Sequence, residues 1–134
     1  MDINHLIGPH NGKELELMLS GQKPMASFVV MDMPYEGENG NDGFEEYVQN
    51  GTFVKIIQKN EHMPYSMYYY CLPSEVWRAK LSSLMMKLRS ENQALDFTPE
   101  DLHRIDGYLL GYDKEAVDYF VERWQHGQRP HKTS

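Results

Sequence analysis

The sequence predicts an α+β domain in which a small antiparallel sheet of at least three strands packs against a C-terminal group of three helices. Two observations indicate this fold. Before Pro73 the apolar residues form short continuous or alternating runs, as in strands. After Pro73 they recur with the period of a helix. Strands followed by helices are typical of α+β proteins. A chain of 134 residues suits a single domain, with residues 1–10 and 126–134 as flexible ends.

Three segments have the composition of β-strands, at residues 25–31, 52–59 and 65–72. The first is a continuous apolar run, which is typical of a strand buried on both faces. The five residues 60–64 suit the loop of a hairpin between the second and third strands. Because Pro64 lacks a backbone donor, we expect the third strand to begin after it.

Helix signals occur on both sides of these strands. Pro73 suits a first helical position and opens the longest predicted helix. Thr98 is a predicted N-cap, and Gly111 is placed to end the helix that Thr98 starts. The segments expected to be helical are 13–20, 44–49, 73–92, the stretch between Thr98 and Gly111, and the stretch that follows Asp113.

The apolar stripes of the C-terminal helices are expected to face the core. In the longest helix the stripe includes Val76, Trp77 and Met85. Because Trp77 lies on it, we expect Trp77→Ala to cost ~3–5 kcal/mol, as loss of a core aromatic side chain does. The residues expected to be mostly buried are Trp77, Leu81, Leu84, Leu88, Leu102, Ile105, Leu109, Phe120 and Trp124.

The charges are segregated along the chain. Six acidic side chains and no Lys or Arg lie between Pro24 and Val54, whereas acidic and basic residues cancel after Val54. Nearly all of the formal net charge of −7 therefore lies in one segment. A concentrated negative field attracts basic partners and repels phosphate. Nucleic acid is thus disfavoured as a partner.

Motifs for metal, nucleophile and membrane chemistry are missing. The six histidines and the single cysteine lack the tight spacing of zinc ligands. Residues 38–43 resemble the first half of an EF-hand calcium loop, but Gln49 stands where that family places a bidentate Glu. Cys71 lies in a predicted strand, where a thiol is usually buried and inert. No apolar run is long enough to cross a membrane. We expect no metal, cofactor, catalytic residue or membrane partner, and one cysteine suits a reducing cytoplasm.

Three classes of function fit these limits. The first is a protein-binding module whose acidic face blocks a basic protein such as a nuclease toxin. Bacterial immunity proteins and small inhibitors have this acidic character. The second is a structural subunit with Met and Tyr at a homodimer interface. The third is a small enzyme or ligand-binding protein with a pocket near His103, whose ring Asp106 would orient. The sequence favours the first, non-enzymatic role. The residues expected to contact the partner are Asp32, Glu36, Glu38, Asp42, Glu45 and Glu46 together with Tyr35, Phe44 and Tyr47.

Overall fold

The centre of the fold is a three-stranded antiparallel sheet with the strand order β1-β3-β2. The computed structural model describes residues 10, 12–33, 39–59, 61–93 and 96–125. The predicted α+β class is confirmed, with three helices in the C-terminal half. The strands are β1 (Met25–Met31), β2 (Val54–Lys59) and β3 (Tyr65–Cys71); the helices are α1 (Glu14–Leu19), α2 (Glu45–Gln49), α3 (Val76–Ser90), α4 (Pro99–Leu110) and α5 (Lys114–Gln125), and a 3₁₀ turn, Pro73–Glu75, leads into α3.

The strand that is buried on both faces is β3. Its consecutive residues Tyr69, Tyr70 and Cys71 are each at most 2% exposed, because β3 is the central strand and a hydrophobic cluster covers each face of the sheet there. Burial on both faces was predicted for β1, and that prediction is wrong for the second half of the strand. Since β1 lies at an edge of the sheet, Val29 is 46% exposed.

Both faces of the sheet are covered, which the sequence did not predict. On one face, Phe28 and Tyr70 pack with Met18 of α1 and with Phe44, the residue before α2. On the other face, side chains of α3 and α4 complete a second core. That core contains Met25, Tyr69, Cys71, Ala79 and Leu109. Helix α5 packs along α4.

Helix α4 begins and ends where the sequence predicted. The Thr98 hydroxyl accepts a hydrogen bond from the Asp101 amide (3.1 Å), and the Asp101 carboxylate accepts one from the Thr98 amide (3.0 Å). This reciprocal pair is a capping box. Gly111 follows the helix with φ +82°, a left-handed conformation that favours glycine.

The predicted core face of α3 is only partly right. Trp77, Leu81 and Leu84 are 45%, 37% and 51% exposed, whereas Met85 of the predicted stripe is buried together with Ala79. A small residue such as Ala79 lets a helix approach a sheet closely. The larger side chains of Trp77, Leu81 and Leu84 point away from the sheet. Because Trp77 keeps much of its surface in water, we now expect Trp77→Ala to cost less than a full core truncation does. Of the other predicted core residues, Leu109 is buried, and Leu88, Leu102, Ile105, Phe120 and Trp124 are partly buried.

Candidate interaction surfaces

Within the acidic segment between Pro24 and Val54, the carboxylates that the structure describes lie around α2 and at the end of β1. Asp42 precedes α2, Glu45 and Glu46 form its first turn, and Asp32 follows β1. All four residues are exposed. Tyr35, Glu36 and Glu38, the remaining members of the predicted contact set apart from Phe44 and Tyr47, lie outside the described residues.

Two of these carboxylates are paired with lysines of β2. Lys55 donates to Glu45 at 2.6 Å, and Lys59 donates to Asp32. Ser66 also donates to Asp32, at 3.2 Å. The two lysines are an even number of residues apart in β2, so their side chains point to the same face of the sheet. Folding thus neutralises part of the acidic segment, and it leaves Asp42 and Glu46 as exposed carboxylates without an ion pair among the described residues.

The loop that carries Asp42 is attached to the sheet. Asn41 donates to the Tyr70 hydroxyl at 3.0 Å, and the Asn39 side chain accepts from the Met31 amide at 3.3 Å. Gly40 has φ +92°, and a Cβ at that position would lie 3.2 Å from Phe28. These contacts hold this end of the acidic segment against the core.

The side chains of Phe44 and Tyr47 pack in the core more than they contribute to the surface. Phe44 is 1% exposed, and its ring centroid lies 4.6 Å from that of Tyr70 and 5.7 Å from that of Phe53. Tyr47 is partly buried, with its ring 5.6 Å from Phe53. Phe44 was predicted as a contact residue, but in this fold its side chain is held beneath the surface.

His103 lies between α4 and α5 rather than beside a catalytic partner. Its ring is 4.9 Å from Phe120 and 5.2 Å from Trp124. Burial lowers the pKa of His103, while nearby Asp106 opposes that shift. Asp106 accepts a hydrogen bond from Arg89 at 3.0 Å, so its carboxylate is held by a cation of α3. The predicted orientation of His103 by Asp106 is therefore not seen among the described contacts.

A buried lysine is the polar cluster that sequence reasoning missed. Lys23 is 2% exposed, and its ammonium donates to the Leu110 carbonyl at 2.5 Å and to Nδ1 of His10 at 2.8 Å. The His10 ring stacks on Tyr112 at 4.2 Å. Burial lowers the pKa of Lys23 to about 8, and Glu14 opposes the shift. Burial and the charge of Lys23 lower the pKa of His10 to about 4, against the effect of Asp113.

No sequence signal marked this cluster. Lys23 stands between a helix end and a strand, and His10 belongs to residues 1–10, which the sequence predicts as a flexible end. The Leu110 carbonyl belongs to the last turn of α4, where a cation is favoured by the helix dipole. Lys23 is thus a tertiary cap of a helix that is distant in sequence.

A groove of about 460 Å³ lies between the β2–β3 hairpin and the C-terminal half of α3. The enzyme alternative predicted a pocket between sheet and helices, with His103, Asp106 and the tyrosines of the third strand as its polar groups. Neither His103 nor Asp106 lines this groove, whereas Tyr65 of the third strand does. Its lining includes Tyr65, Met67, Met86, Lys87 and Glu91.

The described part of the chain provides few groups for metal or thiol chemistry. Among these residues no three His, Cys, Asp or Glu side chains are grouped so as to hold a metal ion. Cys71 is buried, and burial raises the pKa of its thiol to about 11, which disfavours the reactive thiolate. Within the same described residues, no helix has the length and apolar character needed to cross a membrane.

Comparison with known proteins adds no relative. No family model, no curated protein and no solved structure matches this chain.

Proposed function

We propose that the protein is a binding module whose acidic surface blocks a basic protein partner, such as a nuclease toxin. The observation that carries this proposal is the charge segregation, with six carboxylates and no Lys or Arg between Pro24 and Val54. An acidic surface of this kind competes for the cationic groups with which a nuclease holds phosphate.

The geometry narrows the residues that would act. Asp32 and Glu45 form ion pairs with Lys59 and Lys55, so their charges are partly neutralised within the fold. Asp42 and Glu46 are exposed, and the Asn41–Tyr70 hydrogen bond holds the Asp42 loop on the core. A surface that is ordered before binding loses less entropy on association. Asp42 and Glu46, together with Glu36 and Glu38 of the same segment, are the proposed contact charges.

We also place the protein in the cytoplasm. Its single cysteine, Cys71, is buried in the central strand, and a lone protected thiol suits a reducing compartment.

A four-site neutralised variant tests the proposed contact surface. Glu36→Gln, Glu38→Gln, Asp42→Asn and Glu46→Gln are combined, while the internally paired Asp32 and Glu45 are kept. The wild type and the variant are immobilised, exposed at low ionic strength to lysate of cells that produce the protein, and their retained proteins identified. We expect the wild type to retain a basic protein that the variant loses. With that protein purified, the association rate should fall ~10-fold or more in the variant, and its dependence on salt should flatten.

A charge-matched control separates position from net charge. Glu16→Gln, Glu91→Gln, Asp96→Asn and Glu122→Gln remove the same number of carboxylates from exposed positions outside the segment. This control should keep the partner and most of the association rate. Equal loss in both variants, or retention of the same partner by both, would contradict a localised acidic contact surface.

A further inference from the structure

Helix α3 exposes a continuous apolar row, here called the α3 seam, made of Trp77, Leu81, Leu84 and Leu88. The first three are 45%, 37% and 51% exposed, and Leu88 is partly buried. Their spacings of four, three and four residues are those of the d and a positions of a heptad repeat. Single exposed apolar residues are common on proteins, but a row at this spacing marks an interaction surface.

The seam extends onto α4 through stacked side chains. The Arg78 guanidinium lies 4.7 Å from the Trp77 ring and 5.2 Å from the ring of Tyr108, which is 64% exposed. Trp77 also donates to Glu75 at 3.0 Å. The indole is therefore held in place before any partner arrives, which lowers the entropy cost of using it as an anchor.

The charged residues within α3 are all cations. The helix carries four of them and no acidic residue, and Glu75, which contacts Trp77, precedes the helix. Arg78 donates to the carbonyls of Tyr108 and Leu109, and Arg89 pairs with Asp106, so both arginines are engaged by α4. Lys80 and Lys87 are exposed and form no ion pair with any described residue. They are seven residues apart and occupy equivalent g positions along one side of the seam.

We propose that the α3 seam docks an amphipathic helix of a partner protein that carries apolar residues toward the seam and Glu or Asp along its flanks. In paired helices the e and g residues select the partner by charge. Two lysines on one flank, with no anion of α3 to meet them, match an acidic partner helix. This proposal is independent of the acidic surface described above, because it concerns other residues and the opposite charge.

A second copy of the chain fits the seam less well. If two α3 helices packed antiparallel along their seams, g positions would face g positions, and Lys80 of one copy would approach Lys87 of the other. Since α3 contains no acidic residue, no α3–α3 pairing neutralises these lysines. Anionic lipid fits poorly too, because the protein carries a net charge of −7 and the seam is one row wide.

Two synthetic peptides test the proposal. Each has about three heptads with Leu at a and d; one has Glu at every e and g position, the other has Lys there. Like charges keep each peptide from pairing with itself. Each peptide is labelled with fluorescein and titrated with the full-length protein at low and moderate ionic strength, and binding is read from fluorescence anisotropy. We expect the Glu peptide to bind at least ~10-fold more tightly than the Lys peptide.

Charge reversal and apolar loss give separate readouts. In Lys80→Glu/Lys87→Glu the preference should reverse, so that the Lys peptide binds better. Lys13→Glu/Lys114→Glu changes the net charge equally at two exposed lysines away from α3 and should keep the Glu preference. Leu84→Ser should weaken both peptides, whereas Ile57→Ser, at a β2 residue that is also 51% exposed, should not.

Several outcomes would overturn the proposal. Equal affinity for the two peptides, or binding of neither, would remove the acidic helix as the occupant. Self-association of the unliganded protein in sedimentation, lost in Leu84→Ser, would assign the seam to a second copy. Binding to vesicles of anionic phospholipid, lost in the same variant, would assign it to a membrane surface.

Discussion

At the scale of single residues, the junction around Lys23 links the N-terminal part of the chain to α4. The Lys23 ammonium caps the Leu110 carbonyl, and the next residue, Pro24, approaches Gly111 so closely that a Cβ on Gly111 would lie 2.4 Å from Pro24 Cδ. Gly111 is therefore required both by its positive φ and by this contact. His10 completes the junction by accepting from Lys23 through Nδ1.

The His10 contact predicts how stability depends on pH. The pKa of His10 is lowered from 6.5 to about 4 in the folded protein. Between those pH values the unfolded chain binds a proton that the folded chain does not. The stability that the neutral His10 contributes to the folded protein is therefore present above pH 6.5 and is lost toward pH 4. His10→Phe keeps an aromatic ring near Tyr112 but does not titrate. We expect the difference in free energy of unfolding between wild type and variant to shrink on acidification through this range.

Denaturant unfolding at a series of pH values checks this expectation. His62→Phe, which replaces an exposed histidine, controls for the substitution itself. A constant difference between wild type and His10→Phe across the range would show that His10 is not held neutral by the Lys23 junction.

At the scale of elements, a glycine inside α4 allows α5 to approach α4 closely. Gly107 is buried, and a Cβ at this position would lie 2.5 Å from Val117 Cγ2. Gly107 lies within α4, four residues before Gly111. A glycine inside a helix costs ~1 kcal/mol relative to alanine, and here the close approach of α5 accounts for it.

Substitution of Gly107 tests this packing. Gly107→Ala should lower the free energy of unfolding by ~1–3 kcal/mol, because overpacking outweighs the better helix propensity of alanine. Val117→Ala should relieve the clash, so the double variant should be more stable than the sum of the two single changes predicts. Thermal or denaturant unfolding of the four proteins completes the cycle. Additive effects would mean that Gly107 and Val117 do not limit how closely α4 approaches α5.

Helix α3 shows why apolar periodicity alone wrongly predicted Trp77, Leu81 and Leu84 as core residues. The stripe from Trp77 to Leu88 has the larger side chains and the regular spacing, so it looks like a core stripe. The face that is buried contains Ala79 and Met85 beside partly buried serines. A helix that packs close to a sheet needs small side chains at the contact. Which face of the helix makes that contact depends on where the sheet lies.

At the scale of the whole molecule, folding brings the acidic segment beside β2. Lys55 and Lys59 neutralise Glu45 and Asp32, and this leaves Asp42 and Glu46 near α2 as exposed carboxylates without an ion pair among the described residues. Like charges held close together destabilise the compact state, and salt screens that repulsion.

Salt should therefore stabilise the wild-type protein. We expect its melting temperature to rise with ionic strength in a non-denaturing salt such as sodium chloride. The rise should be smaller in the variant Glu36→Gln/Glu38→Gln/Asp42→Asn/Glu46→Gln, which has lost the local repulsion. The charge-matched variant altered at Glu16, Glu91, Asp96 and Glu122 should respond as the wild type does. If both variants lose the salt response equally, net charge rather than the acidic segment is the source.

The sequence by itself determined the order and type of the elements, because those depend on local physics. Alternation and β-branched residues predicted three strands, and the Thr98 cap and Gly111 placed α4 correctly, since each acts within one or two turns of chain. The exposed carboxylates Asp42 and Glu46 were also predicted from composition.

Only the tertiary structure decided which surfaces remained free. It paired Asp32 and Glu45 with lysines of β2, buried Phe44 and Lys23, and turned Trp77 to solvent. Each of these outcomes depends on contacts between residues distant in sequence. The pairing of β1 and β2 on either side of β3 sets those contacts, and no local pattern encodes which of two apolar faces a helix will bury.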